Sequence, residues 1–362
     1  MAFQLTPYTA PDFEEEKFKA APDAALLPCE KDGVAPENYH AMSIYPEYFK
    51  VSGQWLLAED SRMDCVAVLE GGKVIVREFR LLRQGDLVFC GRREDAEEGI
   101  YVHPDGFVTA GRFHETFAFR QARSRETAYS RDYDEIYELL RYEREHGNIL
   151  WVMGPAFAFD HDARDAFASI IKSGYCHGLM AGNALATHDL EAAWLKTALG
   201  QNIYTQENVP LGHYNHLDTI NRVKKWGSIP AFLEGEKIQD GIVLELERQR
   251  VPYVLAGSIR DDGPLPPVVG NVYEAQDSMR NLVRRATTVI CLATMLHTIA
   301  TGNMTPSYRV VDGQVRQVYF YCVDVSEFAV GKLSSRGSLT SRGIVTNVQD
   351  FIVNIAKGLG VM

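Results

Sequence analysis

The sequence has no CxxC pair, no G-x-G-x-x-G, no HExxH and no apolar run near the roughly 20 residues that span a bilayer. Each absence removes a class. Six scattered cysteines, Cys29, Cys65, Cys90, Cys176, Cys291 and Cys322, imply neither a disulfide framework nor a zinc site, and three of them lie in apolar runs where a thiol acts as a small hydrophobe. His213 and His216 share a helix face in GHYNHL, but no carboxylate or cysteine stands at a ligand offset, so no metal is expected. The amino terminus, MAFQLTPYTAPDFEEEKF, lacks the basic-then-apolar pattern of a secretory signal and reads as cytoplasmic. Basic residues are also short: a net charge of −11 repels nucleic acid and anionic membranes, which leaves small molecules as the expected ligands.

What is present is 362 residues, 46% hydrophobic and 23% charged, enough for two cores. Residues 1–40 are rich in Pro, Ala and Glu without a sustained period and read as an irregular arm. From Ser43 to about Gly111, short β-type runs recur between turn signals (YFKVSGQWLL, CVAVLEGGKVIVREF, GDLVFCG, GIYVHPDGFVTAG), which predicts a small β-rich, α+β domain over 41–146. Within it, Arg62 and Arg83 are candidates to hold a carboxylate. Helical spacing of Ile136, Leu139, Leu140 and Tyr142, ended by Gly147, predicts a bridging helix within 124–148.

From 147 to 362 apolar runs alternate with helical segments, the pattern of βα units on a mostly parallel sheet. Strands are expected at 149–154, 176–182, 252–257, 288–293, 318–323 and 343–347; their near-continuous Val, Ile, Leu and Cys content predicts a doubly wound sheet covered on both faces. Ligands of such sheets sit beyond the carboxyl ends of the strands. There the sequence places Gly182-Asn183-Ala184 opening a helix, Ser258-Ile259-Arg260-Asp261-Asp262 within VLAGSIRDDGPLPP (254–267), Thr294-Met295-Leu296-His297, Asp324, and Thr346-Asn347. An acid ending a strand, as Asp324 does, suits a ribose hydroxyl, and a small-residue turn into a helix suits a phosphate. Asp189, Ser326 and Asn347 also suit helix caps, and His188 or His297 a structural histidine.

At AGNALATHDLE (181–191), GHYNHLDTIN (212–221), VLAGSIRDDGPLP (254–266) with EAQDSM (274–279), LATMLHTIATGNMTPS (292–307) and CVDVSEFAVGKLSSRGS (322–338), the chain resembles the NAD-dependent ornithine cyclodeaminases with a LOR/SDH conserved region. That family also forms the carboxyl-terminal half of bifunctional arginine dihydrolase/ornithine cyclodeaminases. The resemblance implies a LOR-type domain followed by a Rossmann-like, deoxyhypusine-synthase-like NAD-binding domain. It puts Asn183, Ala184, Asp262, Thr294, Met295, Leu296, His297, Asp324, Thr346 and Asn347 around NAD. The chain departs from the family at GPAFAFDHDARD (154–165) and at LGHYNHL (211–217), both near the expected substrate mouth.

The implied reaction oxidises ornithine at Cα, closes a ring through the δ-amine, expels ammonia and re-reduces the product to proline. It needs proton-transfer groups and a cation on the substrate carboxylate. From placement at strand ends, Asp261 is the expected general acid/base, His188 or His216 its proton partner, and Arg260 or Arg62 the carboxylate holder. The expected partners are an amino-acid substrate and further copies of the chain in a homo-oligomer. Alternatives are a dehydrogenase or lyase of another diamino or imino acid, and a non-catalytic NAD-binding sensor.

Overall fold

The computed structural model describes residues 3–107, 130–261, 263–326 and 339–362. Asp262 and most of the 322–338 motif therefore lie outside the described residues.

Among the described residues, seven short strands build the first region: β1 (Ala25–Pro28), β2 (Glu47–Val51), β3 (Gln54–Leu57), β4 (Val66–Glu70), β5 (Lys73–Arg77), β6 (Leu87–Cys90) and β7 (Ile100–Val102). They form two antiparallel sheets, ordered β1-β6-β4-β5 and β3-β2-β7. The Gly-Gly turn is a two-residue hairpin, with Glu70 opposite Lys73 and φ of 57° and 79° at Gly71 and Gly72. Positive φ at both central residues matches the right-handed twist of the strands. Phe49, Ala67, Val76 and Phe89 fill the core between the sheets.

Residues 1–40 are more integrated than their composition suggests. Strand β1 pairs with β6 along its whole length, and a short helix, α1 (Glu16–Lys19), ends on the buried Lys50. The Lys50 ammonium donates to the carbonyls of Phe18, Lys19 and Ala21 at 3.0, 3.1 and 2.7 Å. A buried cation needs such partners. Pairing across long sequence separation leaves no local period, which is why the segment reads as irregular.

The bridging helix α2 (Ser130–His146) leads into the second region. There strands β8 (Ile149–Met153), β9 (Gly178–Gly182), β12 (Tyr253–Ala256), β13 (Thr288–Leu292), β16 (Tyr319–Asp324) and β17 (Ser341–Val345) form one parallel sheet. All six fall where the apolar runs predicted them. Two small hairpins interrupt the alternation, β10 (Thr197–Ala198) with β11 (Gln201–Asn202) and β14 (Tyr308–Val311) with β15 (Gln314–Gln317). The second reaches back to the first region, where the buried Tyr308 hydroxyl donates to the Ala58 carbonyl at 2.5 Å.

Helices cover both faces. On one side α3 (His161–Lys172), α4 (Asn183–Leu195), α7 (Ile242–Gln249) and α10 (Val348–Leu359) pack on Ile149, Trp151, Met153, Ile290 and Leu292. Helices α5 (Asn215–Trp226) and α6 (Ile229–Gly235) extend that layer. On the other, α8 (Val272–Val283) and α9 (Met295–Met304) meet Leu150, Val152, Val289 and Cys291. The alternation along β8 and β13 follows from the period-2 geometry of a strand. All six cysteines are buried and unpaired; burial pushes the Cys176 thiol well up and the Cys322 thiol to about 12. Among the described residues no helix is long and apolar enough to cross a membrane.

The sheet order is β12-β9-β8-β13-β16-β17. Counted in chain order this is 3-2-1-4-5-6, the doubly wound arrangement whose direction of winding reverses between its first and fourth strands. Here that reversal falls between β8 and β13.

Asp189, a candidate cap, sits inside α4 and caps a different helix. Its carboxylate accepts the Ile242 and Val243 amides, at 3.0 and 2.8 Å, at the start of α7. It also takes the Arg164 guanidinium at 2.6 Å, and both side chains are 1% exposed.

His177 anchors the start of β8. Its Nδ1 accepts the Ile149 amide at 2.9 Å, and burial pushes the imidazole below its ordinary value. The unfolded chain therefore takes up this proton first, and stability falls as pH drops through about 6.5. The thermal midpoint should decline between pH 7 and 5.5, with a shallower slope in His177→Asn; parallel curves would rule the contribution out.

Candidate active site

At the winding reversal the ends of β8 and β13 stay tied together. The Gly154 amide, just past β8, donates to the Leu292 carbonyl at the end of β13 at 2.9 Å. Ala293 then turns with φ of 49°, a left-handed conformation that costs a non-glycine residue about 1 kcal/mol. The turn sends the chain straight into α9, with Thr294 as its extended N-cap residue.

Three helices begin near this reversal, and they differ in how their first amides are satisfied. Helix α3 is capped by Asp160, whose carboxylate accepts the Ala163 amide at 2.8 Å. An acid there repels a phosphate. Helices α4 and α9, after Gly182 and Thr294, have no side-chain cap. Their free N–H groups and positive dipole ends face the carboxyl edge of the sheet and suit an anion.

His297 bridges these two helix starts. Its Nδ1 lies 3.2 Å from Thr294 Oγ1, and its ring packs on Gly182, where a Cβ would come within 3.1 Å of Cε1. Burial lowers the His297 pKa, while the charge of Asp261 pulls the other way. Asp261 stands in the loop after β12. Its Oδ2 accepts the Ser258 amide at 2.8 Å, which fixes the carboxylate within the turn. That loop is docked on α4, because Asn183 Oδ1 accepts the Leu265 amide at 3.0 Å.

The remaining cofactor candidates lie at or just past the ends of β16 and β17 and on the first turns of α9 and α4. Asp324 ends β16, with Oδ1 accepting the Ser326 amide at 2.9 Å. Its carbonyl receives the Thr346 amide at 3.1 Å, and Asn347 Oδ1 caps α10 through the Gln349 and Asp350 amides. Met295 is exposed on the first turn of α9, Leu296 follows it in the helix, and Ala184 is half-buried on the first turn of α4.

A second group lies farther along α4. His188 Nδ1 is 3.0 Å from Glu191 Oε2, and the fully buried Glu191 carboxylate also accepts Thr197 Oγ1 at 2.8 Å and the Leu199 and Gly200 amides. These contacts make His188 Nδ1 the donor and leave Nε2 as the acceptor. The His216 ring is 6.1 Å from that of His188, and its Nδ1 is buried without a hydrogen bond. Glu191 was visible three residues after His188 in THDLE, on the same helix face, but its four donors come from residues 188–200 through a turn that carries no periodicity.

The two arginines stand apart. Arg260 is at the exposed tip of the loop beside Ile259. Arg62 pairs with Glu78 and donates to Cys65 Sγ at 2.9 Å near the far end of α9, about 15 Å along that ten-residue helix from the strand ends. The expectation that Arg62 shares the strand-end site therefore finds no geometric support in this chain: the first region meets the sheet behind α9. Among the described residues no group of three or more His, Cys, Asp or Glu could hold a metal.

Known proteins share this architecture. The family profile described as arginine dihydrolase ArgZ-like, C-terminal, Rossmann fold matches residues 135–355. An ornithine cyclodeaminase from Methanopyrus kandleri is 38% identical over 353 residues, covering 96% of this chain and 82% of the relative. The crystal structure of a conserved LOR/SDH protein from Methanococcus maripaludis S2 superposes with a TM-score of 0.83 at 34% identity, over 94% of this chain and 98% of that one. A ternary complex of AgrE with ornithine and NAD+ superposes with a TM-score of 0.60 at 31% identity, over 94% of this chain and 46% of AgrE. With a six-stranded Rossmann-fold sheet and these relatives spanning nearly its whole length, the chain belongs to the ornithine cyclodeaminase family that includes the ArgZ and AgrE carboxyl-terminal halves.

Proposed function

We propose that the chain is an NAD-dependent ornithine cyclodeaminase that converts L-ornithine to L-proline and ammonia. The observation that carries this reading is the 38% identity to an ornithine cyclodeaminase over almost the entire chain.

The strand ends beyond β8 and β13 offer groups of the kind a dinucleotide needs. The uncapped starts of α4 and α9 suit a pyrophosphate, and Asp324 at the end of β16 suits a ribose hydroxyl. Gly182 leaves no Cβ between the backbone and His297. Asn183, Ala184, Thr294 through His297, Asp324, Thr346 and Asn347 would hold NAD, with Asp262 as a further candidate. Bound there, NAD supplies a hydride acceptor that can return the same hydride within one turnover.

The protein's residues must then manage protons. Ornithine brings two ammonium groups; the α-nitrogen has to lose a proton before Cα can give up its hydride, the δ-nitrogen has to lose one before it can attack Cα, and after ring closure the α-nitrogen has to regain one to leave as ammonia. Asp261, held by the Ser258 amide in the loop after β12 and acting electrostatically on His297, is the acid/base we assign to that exchange. His188 is the second, because Glu191 fixes its tautomer and leaves Nε2 to accept a proton. His216 and Arg260 lie within the same reading, as relay and carboxylate partner.

His188→Asn should lower kcat about 100-fold, the low end for a positioned acid–base group, while NAD+ affinity stays near wild type. Steady-state rates with NAD+ titration read both quantities. The reading as a whole is tested by incubating the protein with L-ornithine and NAD+ and following ammonia, proline and absorbance of NADH. Ammonia and proline in equal amounts without NADH accumulation support it; NADH building up with product supports a net dehydrogenase instead.

A further inference from the structure

The carboxylate behind His188 is buried and has no fixed cation beside it. Glu191 is 0% exposed, and among the described residues no Lys or Arg pairs with it; its ion-pair contact is the His188 imidazole. Donors surround it. Oε1 accepts Thr197 Oγ1 at 2.8 Å and the Gly200 amide at 3.3 Å, and Oε2 accepts the Leu199 amide at 3.2 Å beside His188 Nδ1 at 3.0 Å. An ionised carboxylate, an acceptor only, satisfies all of them.

The backbone brings these groups together through a sharp reversal. Helix α4 ends on Lys196 at φ of 59°, and Leu199 and Gly200 follow at 51° and 75°, so the chain doubles back and lays Thr197 and two amides on the last turn of the helix. Gly200 then lies against Gly212. A Cβ on Gly200 would come within 2.6 Å of the Gly212 carbonyl carbon, and one on Gly212 within 2.4 Å of the Gly200 carbonyl oxygen. That close approach lets α5 begin beside β10, where Asn215 Nδ2 donates to Thr197 Oγ1 at 2.8 Å. A hydroxyl has one proton to give, and with the Asn215 amide on its lone pair that proton goes to Glu191. The bonds therefore run one way, from Asn215 through Thr197 to the carboxylate that His188 faces.

The titratable groups facing His188 are Glu191 on its own helix and His216 on α5, its ring 6.1 Å away; from the turn after β8 comes the Phe159 ring at 5.3 Å. When His188 Nε2 takes a proton, the imidazolium forms against an ionised carboxylate, which compensates the new charge where it arises. Each donor on that carboxylate stabilises it and weakens its pull on the imidazole proton.

We infer that Thr197, aimed by Asn215, is a positioning residue that sets how firmly the His188–Glu191 pair holds a proton. Its consequence for catalysis rests on the reading of His188 as an acid/base; the hydrogen-bond chain itself is tested without substrate.

The experiment is an NMR pH titration of the full chain labelled with 15N-histidine, the His188 signal being identified by its loss in His188→Asn. Thr197→Val keeps the shape and removes the hydroxyl, so the carboxylate pulls harder and the His188 midpoint should rise by about half a pH unit or more. Thr197→Ser keeps the hydroxyl and should titrate as the wild type does. Asn215→Asp exchanges a donor for a second acceptor, draws the Thr197 proton away from Glu191 and should also raise the midpoint; an acid on the first turn of α5 favours the helix, so loss of fold is not the cause. Because both substitutions act through one hydroxyl, the double variant should shift by less than their sum. With ornithine, the acid limb of kcat/KM in Thr197→Val should move to higher pH by the same amount, with NAD+ affinity near wild type. Unchanged midpoints in Thr197→Val and Asn215→Asp overturn the inference, and so does an additive double variant. Shifted midpoints in a protein that does not turn over ornithine would fail the functional reading and leave the role of Thr197 standing.

Discussion

Asp261→Asn is expected to reduce kcat for ornithine by about 100- to 10,000-fold, the range a positioned acid–base group contributes, with NAD+ affinity within about twofold of wild type. The substitution keeps shape and leaves an oxygen to accept the Ser258 amide, so the turn after β12 can persist. What it removes is a carboxylate charge that acts on His297. The imidazole, already lowered by burial, then also loses the neighbouring charge that favours its protonated form. Rates under saturating NAD+, with affinity measured separately, isolate the chemical step. A loss smaller than about tenfold would remove Asp261 from the assignment and leave His188 as the principal group.

The largest stability effect is expected at Arg164. Arg164→Leu should destabilise the fold by about 3–5 kcal/mol, because removing one partner strands the other charge in the interior. Asp189 is the stranded partner: it is 0% exposed, and its carboxylate also caps α7. Asp240, at 2.5 Å from the same guanidinium, is half-exposed and keeps Lys196 at 2.8 Å, so it contributes less. Urea unfolding should show a lowered midpoint with an unchanged slope. Pairing Arg164→Leu with Asp189→Leu should recover part of the loss, since two apolar groups of similar shape replace a desolvated ion pair.

These two residues also mark what the sequence does and does not disclose. All six parallel strands were legible because continuous Val, Ile, Leu and Cys runs leave a signature of burial on both faces. Their order was not, because no local pattern reports which strand lies beside which. The winding reversal between β8 and β13, with Gly154 against Leu292, therefore emerges only from the pairing. The strand-end candidates converge because parallel strands share a carboxyl edge, so Asn183, Asp261, His297 and Asp324 could be listed before their neighbours were known. Arg62 could not be placed in that way. It sits in the first region, and its position relative to the sheet depends on how the β14–β15 hairpin ties the two regions together. Asp189 illustrates the limit of cap signals: its carboxylate does cap a helix, but one more than 50 residues later.

The most direct test of the proposed activity uses L-ornithine carrying deuterium at Cα and 15N on the α-nitrogen, with NAD+ in substoichiometric amount. An enclosed oxidation, ring closure and re-reduction predicts proline that retains deuterium at C2, ammonia that carries the 15N, and no accumulation of NADH. Deuterium appearing in released NADH, or 15N remaining in the product, would contradict it.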